Sequence, residues 1–483
     1  MAKSFFQNLV AKGVLTMFNA LIPLMIVPFV YRRITPSTIG QIEYANTIFT
    51  YFSLVGLLGI YNYGLREISR IREYKNEVSS IFSSLFYIGI ISNLFSALLY
   101  VCLVTWGISD NQLQSIMYIV GLQLIGQIFY VEWMNEAYEE FKFITVKTLF
   151  VRMASLILIF LLITDNNDYL LYVGILTGVV FANNLISFIY VCRKKKICKI
   201  TLLKGEIKHC IMPLLLILVL NNTNILYTLV DRTMLGVYTT SDQVAYYGIG
   251  QKISETVKAL LLSVVYVSLP RLSLYLANDL QLYQEKVKKL IQLVLLLSFP
   301  IAIGLCALAR PIITVFAGDQ YIGAVVAFQI FAIRIIFMGI ESILYNNIIF
   351  LHRKEKVLLI LNLICGTLNV GLNYLFLDCL TPGIAIFTTL IAEILFQLLC
   401  LWYIKSYLHL SIGVISKCNL KYLLISLCFL PIIYFLNMMF NNDFLIISIS
   451  TLLCGCFYLA LLLLLKDSLL LETKVRIALL FTR

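Results

Sequence analysis

Several ionisable residues lie well inside stretches of this sequence that are otherwise apolar: Arg152, Lys252, Glu255, Lys258, Arg334 and Glu393. A charge held at the middle of a bilayer costs roughly 3 kcal/mol on insertion scales, so such residues must face a bundle interior and not lipid. The four cations suit an anionic substrate, Arg through bidentate donors and Lys as a point charge. The competing chemistry is an internal ion-pair network. Lys252, Glu255 and Lys258 step by three residues, so adjacent pairs share a helix face and can pair directly. Glu255 or Glu393 could instead hold a coupling Na⁺ or H⁺, and the sequence does not choose between them.

The elements that must position these residues are apolar spans near 20 residues long, the length that crosses hydrocarbon as a helix. About fourteen are expected, at 9–31, 42–63, 80–105, 113–134, 144–164, 169–191, 211–231, 244–268, 289–310, 321–345, 357–377, 383–404, 421–438 and 443–465. The intervening loops alternate in charge. Of 37 basic residues, 29 fall in one set of loops and the tails, 4 in the other set and 4 within spans. Basic loops stay cytoplasmic, which predicts a multi-pass protein with both termini in the cytoplasm. The stretch Glu139 to Lys147 is read as one cytoplasmic loop.

Composition agrees. Mean hydropathy is +0.93, hydrophobic residues make up 61% and charged residues 13%, about half the usual charged share. The net charge of +12 sits in short loops, where it orients the chain and meets anionic headgroups and not nucleic acid. The first apolar run, Leu9 to Tyr31, is too long for a signal-peptide core and is expected to remain as a span. The twelve cysteines contain no CxxC pair and mostly lie in apolar runs, as small core residues without a disulfide frame or metal site. His209, His352 and His409 form no metal cluster.

Every outer loop is about a dozen residues or fewer, too short to hold the acceptor of an envelope glycosyltransferase, ligase or polymerase. No glycine-rich phosphate loop occurs. A transporter is therefore expected and an enzyme is not, with no cofactor beyond a coupling ion. The longest polar break, 193–210, divides the chain into an N-terminal six-helix lobe (1–192) and a C-terminal one (211–405). A cytoplasmic loop, two further helices and the tail follow (406–483). The lobes echo one another: span 1 leaves through Arg32-Arg33 and span 7 through Asp231-Arg232, each into a polar outer turn. Related halves are the usual plan of secondary transporters.

On these residues the sequence resembles the polysaccharide-transporter flippases of Wzx type in the multidrug/oligosaccharidyl-lipid/polysaccharide superfamily. The resemblance rests on Tyr31-Arg32-Arg33-Ile34-Thr35-Pro36-Ser37, on Gly59-Ile60-Tyr61-Asn62-Tyr63-Gly64-Leu65-Arg66-Glu67 and on Glu132-Trp133 through Glu139-Glu140-Phe141. It continues with Val230-Asp231-Arg232-Thr233-Met234-Leu235-Gly236 and Leu269-Pro270-Arg271. It implies an all-α integral membrane protein built like the MATE and MurJ transporters, two lobes around a central cavity that opens to each side in turn. The implied substrate is a polyprenyl-pyrophosphate-linked oligosaccharide, for capsule, O-antigen or a similar polymer. The implied setting is the bacterial cytoplasmic membrane, beside polysaccharide polymerase and export machinery. A drug/cation antiporter of the same superfamily is the alternative; four mid-span cations against two carboxylates argue for an anionic substrate.

In that frame Arg152, Lys252, Lys258 and Arg334 are candidate substrate contacts. Arg32, Arg33, Arg232 and Arg310 lie outside against the charge rule and, with Asp231, could form an outer gate or mouth. Arg66, Arg70 and Arg271 could attract a pyrophosphate on the cytoplasmic side, although plain anchoring explains them too. Glu43, Asn46, Asn62, Asn221, Asn222 and Asn224 could bind sugar hydroxyls or join helices.

Overall fold

The computed structural model describes residues 22–195, 210–218 and 229–469, apart from isolated positions within these ranges. Among the described residues there is no strand, and twelve helical spans are long and apolar enough to cross a membrane. The chain is an all-α multi-pass membrane protein. Of the fourteen expected spans, the first and seventh fall largely outside the described residues, together with Asn221, Asn222, Asn224 and most of the basic linker.

The chain forms two compact units. Unit 1 comprises residues 1–225 and 240–245, and unit 2 comprises 226–239 and 246–483. Unit 1 carries helices α1 (Pro36–Leu57), α2 (Ile60–Ile71), α3 (Lys75–Gly107), α4 (Asn111–Gly126), α5 (Glu132–Ala137), α6 (Phe141–Leu162) and α7 (Tyr169–Lys195). Unit 2 carries α8 (Val230–Tyr238) and α9 (Ser241–Asn278), whose first turn belongs to unit 1. It continues with α10 (Leu280–Ala307), α11 (Ala309–Ala317), α12 (Val325–Ser342), α13 (Glu355–Leu375) and α14 (Pro382–Tyr407). The last three helices are α15 (Lys417–Leu427), α16 (Phe429–Met439) and α17 (Asp443–Leu464).

These helices invert the pattern of a water-soluble bundle. On α3 the buried stripe runs Val78, Phe82, Leu85, Gly89, Asn93, Ser96, Tyr100 and Val104. Ile91, Phe95, Leu98 and Trp106 stay exposed. Lipid tails satisfy large apolar groups as well as a protein core does. Helix contacts can therefore include small and polar residues, such as Gly89, Asn93 and Ser96, that pack closely or hydrogen-bond.

Two spans of unit 1 that read as continuous in the sequence are broken. The span expected at 42–63 stops at Leu58 (φ 45°) and Gly59 (φ 76°), both left-handed, before restarting as α2. For Leu58 this conformation costs about 1–3 kcal/mol. The span expected at 113–134 passes through a 3₁₀ turn at Gln127–Phe129 and an extended Tyr130 before α5. A break inside a membrane frees backbone carbonyls that need donors, and neighbouring helices supply them. Gly56 O accepts from Ser92 Oγ (2.6 Å) and Asn93 Nδ2 (3.1 Å); a turn earlier, within the helix, Phe52 O also accepts from Ser96 Oγ (2.6 Å). Gly126 O accepts from Asn184 Nδ2 (3.1 Å). The polar stripe of α3 is thus explained by the break in α1–α2. The short halves α2 and α5 are joined to each other. A side chain at Gly64 would place its Cβ 2.5 Å from the Trp133 ring, and Tyr61 donates to Glu136 at 2.8 Å.

In unit 2, α12 continues into a π-helical segment, Ile343–Phe350. Tyr283 of α10 donates to Asn347 O (2.8 Å), and Asn347 donates to Ser268 Oγ of α9 (2.9 Å). Helix α9 is 38 residues long and carries Pro270 within it, while α10 carries Pro300. The C-terminal helices pack on α10 through Leu308, Tyr422, Phe429, Ile433 and Tyr458. Asp467 then closes α17 back onto α15, ion-paired with Lys421 and accepting from Tyr422 at 2.9 Å. Among the described residues ten cysteines are free. Cys192 departs from the expectation of isolated thiols, being disulfide-bonded.

Candidate substrate and cation sites

In unit 1, Arg152 lies on the buried side of α6. Thr145, Arg152, Leu156 and Ile159 follow one stripe at steps of seven, four and three, whereas Phe150, Met153, Ile157 and Leu161 are exposed. The Arg152 guanidinium is half-buried and forms no hydrogen bond or ion pair among the described residues. This placement agrees with the demand that a mid-span charge face inward.

The sequence reading missed Lys147, placed in a loop. It is the second buried cation of α6, with its side chain 4% exposed. Its ammonium meets both Glu132 oxygens (3.0 and 2.9 Å), Ser187 Oγ (2.6 Å) and Asn183 O (3.3 Å). Three hydrogens facing four acceptors make a saturated ion pair that ties α5 to α6 and α7. The signal was available in the sequence, as a lysine flanked by the apolar run that follows Phe143. The expected loop boundary lay a turn too far along the chain.

In unit 2, Arg334 on α12 and Glu393 on α14 form a bidentate pair. Nε donates to Oε2 at 2.8 Å and Nη2 bonds Oε1. Their side chains are 4% and 9% exposed. Lys258 and Glu255 pair at 3.4 Å with about a third of each side chain exposed, as their spacing allowed. Lys252 is half-buried on the same helix. Glu341, which the sequence reading passed over, forms no hydrogen bond or ion pair among the described residues. It sits within electrostatic range of Glu393, Lys258, Arg334 and Glu255.

Asp231 was grouped with Arg232 at an outer gate. The structure instead buries it completely inside unit 2. Its oxygens accept from Tyr247 (2.8 Å), Thr389 (2.5 Å), Asn373 (2.7 Å) and Asn369 (3.3 Å). Asn369 and Asn373 are one turn apart on α13, Thr389 is on α14 and Tyr247 on α9, so four helices meet at one carboxylate. No ion pair neutralises Asp231 among the described residues. The surrounding side chains also carry carboxamide, hydroxyl and phenol oxygens. All four neighbours present N–H or O–H donors to the carboxylate, so its charge is met by hydrogen bonds, and a cation would have to displace at least one of them.

The remaining candidates are peripheral. Arg33 stacks on Phe29 at 3.6 Å and donates to its carbonyl. Arg32 and Arg310 are exposed, and Arg232 is half-buried. Arg66 and Arg70 share Glu67 at 2.9 and 3.9 Å and are largely exposed; Arg271 is exposed. Glu43 is buried and accepts from Tyr31 at 3.3 Å. An apolar cavity of about 490 Å³ lies against α10, α16 and α17. Leu296, Pro300, Leu305, Phe429 and Ile447 line it, and it has the size and polarity for part of a lipid tail.

The charge balance inside the spans differs from the sequence tally. Lys147, Lys258 and Arg334 are each matched by a carboxylate, and Glu341 and Asp231 join the acidic side. An excess of cations therefore does not distinguish an anionic substrate from a cationic one.

Comparison with known proteins identifies the family. The model of the family described as "Polysaccharide biosynthesis protein" matches residues 5–276. The "Putative O-antigen transporter" of Escherichia coli (strain K12) is 20% identical over 404 residues, spanning 83% of this chain and 96% of the relative. Among solved structures, the lipid II flippase MurJ in an inward closed conformation superposes with a TM-score of 0.71 at 18% identity, over 94% of this chain and 98% of that one. An inward-facing multidrug resistance MATE family transporter of the MOP superfamily gives 0.57 at 13% identity, over 84% and 99%. These relatives are transporters and flippases, not enzymes. With twelve described membrane spans, a MurJ- and MATE-like fold and a family match over more than half its length, the chain belongs to the polysaccharide biosynthesis protein family of membrane transporters.

Proposed function

We propose that this protein flips polyprenyl-pyrophosphate-linked oligosaccharide units from the cytoplasmic to the outer leaflet of a bacterial cytoplasmic membrane by alternating access, with both termini in the cytoplasm. The observation that carries this reading is Arg152, a cation directed to the interior of unit 1 without a counter-ion among the described residues. A guanidinium left open in that position is suited to a diphosphate, which it can grip through paired donors. Lys258 of unit 2 is a second candidate, because its pairing with Glu255 is long, about a third of each side chain is exposed, and a phosphate can displace it. Arg334 is assigned a structural role, since Glu393 occupies its fork. The cavity beside α10 and α17 takes part of the polyprenyl tail.

A small monovalent cation at the Asp231 cluster would supply the coupling energy, with Asn369, Asn373, Thr389 and Tyr247 completing its shell. The polysaccharide polymerase and export machinery are the expected recipients of the flipped unit.

The test is to delete the gene in a host without a redundant flippase and probe the leaflet holding the lipid-linked repeat units. They should accumulate on the cytoplasmic face, inaccessible to an external probe. Unchanged exposure on the outer face would refute the function, and export of cationic drugs by the purified protein would favour an antiporter.

A further inference from the structure

The chain enters unit 1 a second time. After α8 it leaves unit 2 at Thr239, contributes residues 240–245 to unit 1 and returns to unit 2 at Tyr246. All but the first of those residues form the opening turn of α9. The seat of this turn is Gly40 on α1. A Cβ built at Gly40 would lie 1.7 Å from the Ser241 carbonyl oxygen, 2.5 Å from its carbon and 3.2 Å from its Cα. No rotamer relieves a clash with backbone, so one of the two main chains would have to retreat. At the other tight glycines, Gly56, Gly64, Gly121, Gly323 and Gly339, the nearest atoms belong to side chains.

The two sides of this contact are held unequally. The start of α1 is braced within unit 1. Asn166 Oδ1 accepts from Thr35 N (2.9 Å) and Thr35 Oγ1 (3.1 Å), Gln112 Nε2 donates to Thr38 Oγ1 (3.2 Å), and Gln41 Nε2 donates to Asp110 Oδ2 (2.8 Å). Among the described residues, no side-chain bond braces Ser241, Asp242 or Gln243 in the same way. One residue beyond the turn, α9 is tied to unit 2. Tyr246 donates to Gln320 O at 3.3 Å and its ring packs beside Gly323, and Tyr247 donates to Asp231 at 2.8 Å. Helices bend sharply at proline or glycine. The nearest glycines, Gly248 and Gly250, lie beyond these anchors. The opening turn therefore moves as a rigid extension of α9.

We propose that the opening turn of α9 is a detachable strap: Gly40 is its seat in unit 1, and each transport cycle lifts the strap from that seat. The proposal rests on the alternating-access reading, because that motion displaces α9 with the rest of unit 2. A seat made of close packing, with no hydrogen bond to break, suits a contact that is remade in every cycle.

Val244, fully buried within the strap, is the reporter. Full-length protein carrying Val244→Cys, in nanodiscs, is treated with N-ethylmaleimide, and modification of residue 244 is read by peptide mass spectrometry. Adding Gly40→Ala should raise the labelling rate about tenfold or more, the effect of overpacking on a two-state contact. Gly323→Ala, which crowds Tyr246 on the unit 2 side, should not raise it. An unchanged rate in Gly40→Ala would overturn the proposal. So would an equal rise in both variants, the mark of a helix end that merely frays. The same reporter with Gly40 intact gives a second reading. Labelling should run faster in membranes that supply lipid-linked units than in membranes that lack them. Equal rates, with the units flipped, would overturn the strap. Units left unflipped would instead refute the flippase reading, and the nanodisc comparison, which needs no substrate, then decides alone.

Discussion

Replacing Arg334 and Glu393 singly and together separates a strut from a substrate contact. Each single change, Arg334→Met or Glu393→Met, leaves one charge buried without its partner. Losing one member of a buried pair costs about 3–5 kcal/mol, whereas replacing both by apolar groups of similar volume is near neutral or stabilising. Unit 2 comprises about 250 residues. At 2–4 °C per kcal/mol for a domain of that size, each single variant should lower its Tm by roughly 6–20 °C. The double variant should recover most of the loss. Both residues are at most 9% exposed, so solvent screening offers little relief. The assay is thermal unfolding of purified protein in nanodiscs, alongside outer-leaflet exposure of lipid-linked repeat units. A strut predicts that the double variant keeps at least half of wild-type transport. If the double variant folds as well as the wild type but transports nothing, Arg334 contacts substrate and the structural assignment is wrong. If the singles melt within a degree or two of the wild type, the burial argument itself fails.

Arg152→Ala should lower transport about ten- to a hundredfold, the worth of one charge-assisted contact of roughly 1.5–3 kcal/mol, with Tm unchanged; full activity removes it from the site. Lys147→Met should destabilise unit 1 by about 3–5 kcal/mol, and joint replacement with Glu132→Leu should restore it; an undisturbed Tm in Lys147→Met would show the cluster to be dispensable. NaCl at 100 times the Kd should stabilise the wild type by about 2.7 kcal/mol relative to choline chloride of equal ionic strength, and Asp231→Asn should abolish the difference. Equal stabilisation in that variant would place the cation elsewhere.

Much of this fold was legible because membrane spans obey one simple rule, apolar length. The two broken spans escaped because hydropathy is blind to backbone conformation: Leu58 is as apolar as its neighbours, yet its left-handed φ ends a helix. The serines and asparagine of α3 carried the clue, since polar groups at helical spacing in an apolar run require acceptors on a neighbour. The site was less legible. Glu255 and Lys258 pair at sequence spacing, so their contact could be foreseen. Arg334 with Glu393, and Asp231 with Asn369, Asn373 and Thr389, meet across 59 to 158 residues of chain. Only tertiary packing decides which polar residues converge. Asp231 looked like a gate residue because it follows an apolar span and precedes an arginine. Packing against α9, α13 and α14 gives it partners that its position in the sequence did not suggest.

The π-helical segment at Ile343–Phe350 holds more residues per turn than the α-helix it extends, so the chain there carries slack. Deleting one residue from an ordinary span turns everything after it by about 100°. Here a deletion can be absorbed by relaxation to α geometry. Unit 2 should therefore tolerate a one-residue shortening within 343–350 better than anywhere else along α12. The cost would fall on the Asn347 contacts to Tyr283 and Ser268 and not on the register of α13. Slack of this kind is a reserve of length, through which a packed membrane helix can lose a residue while its remaining faces keep their neighbours.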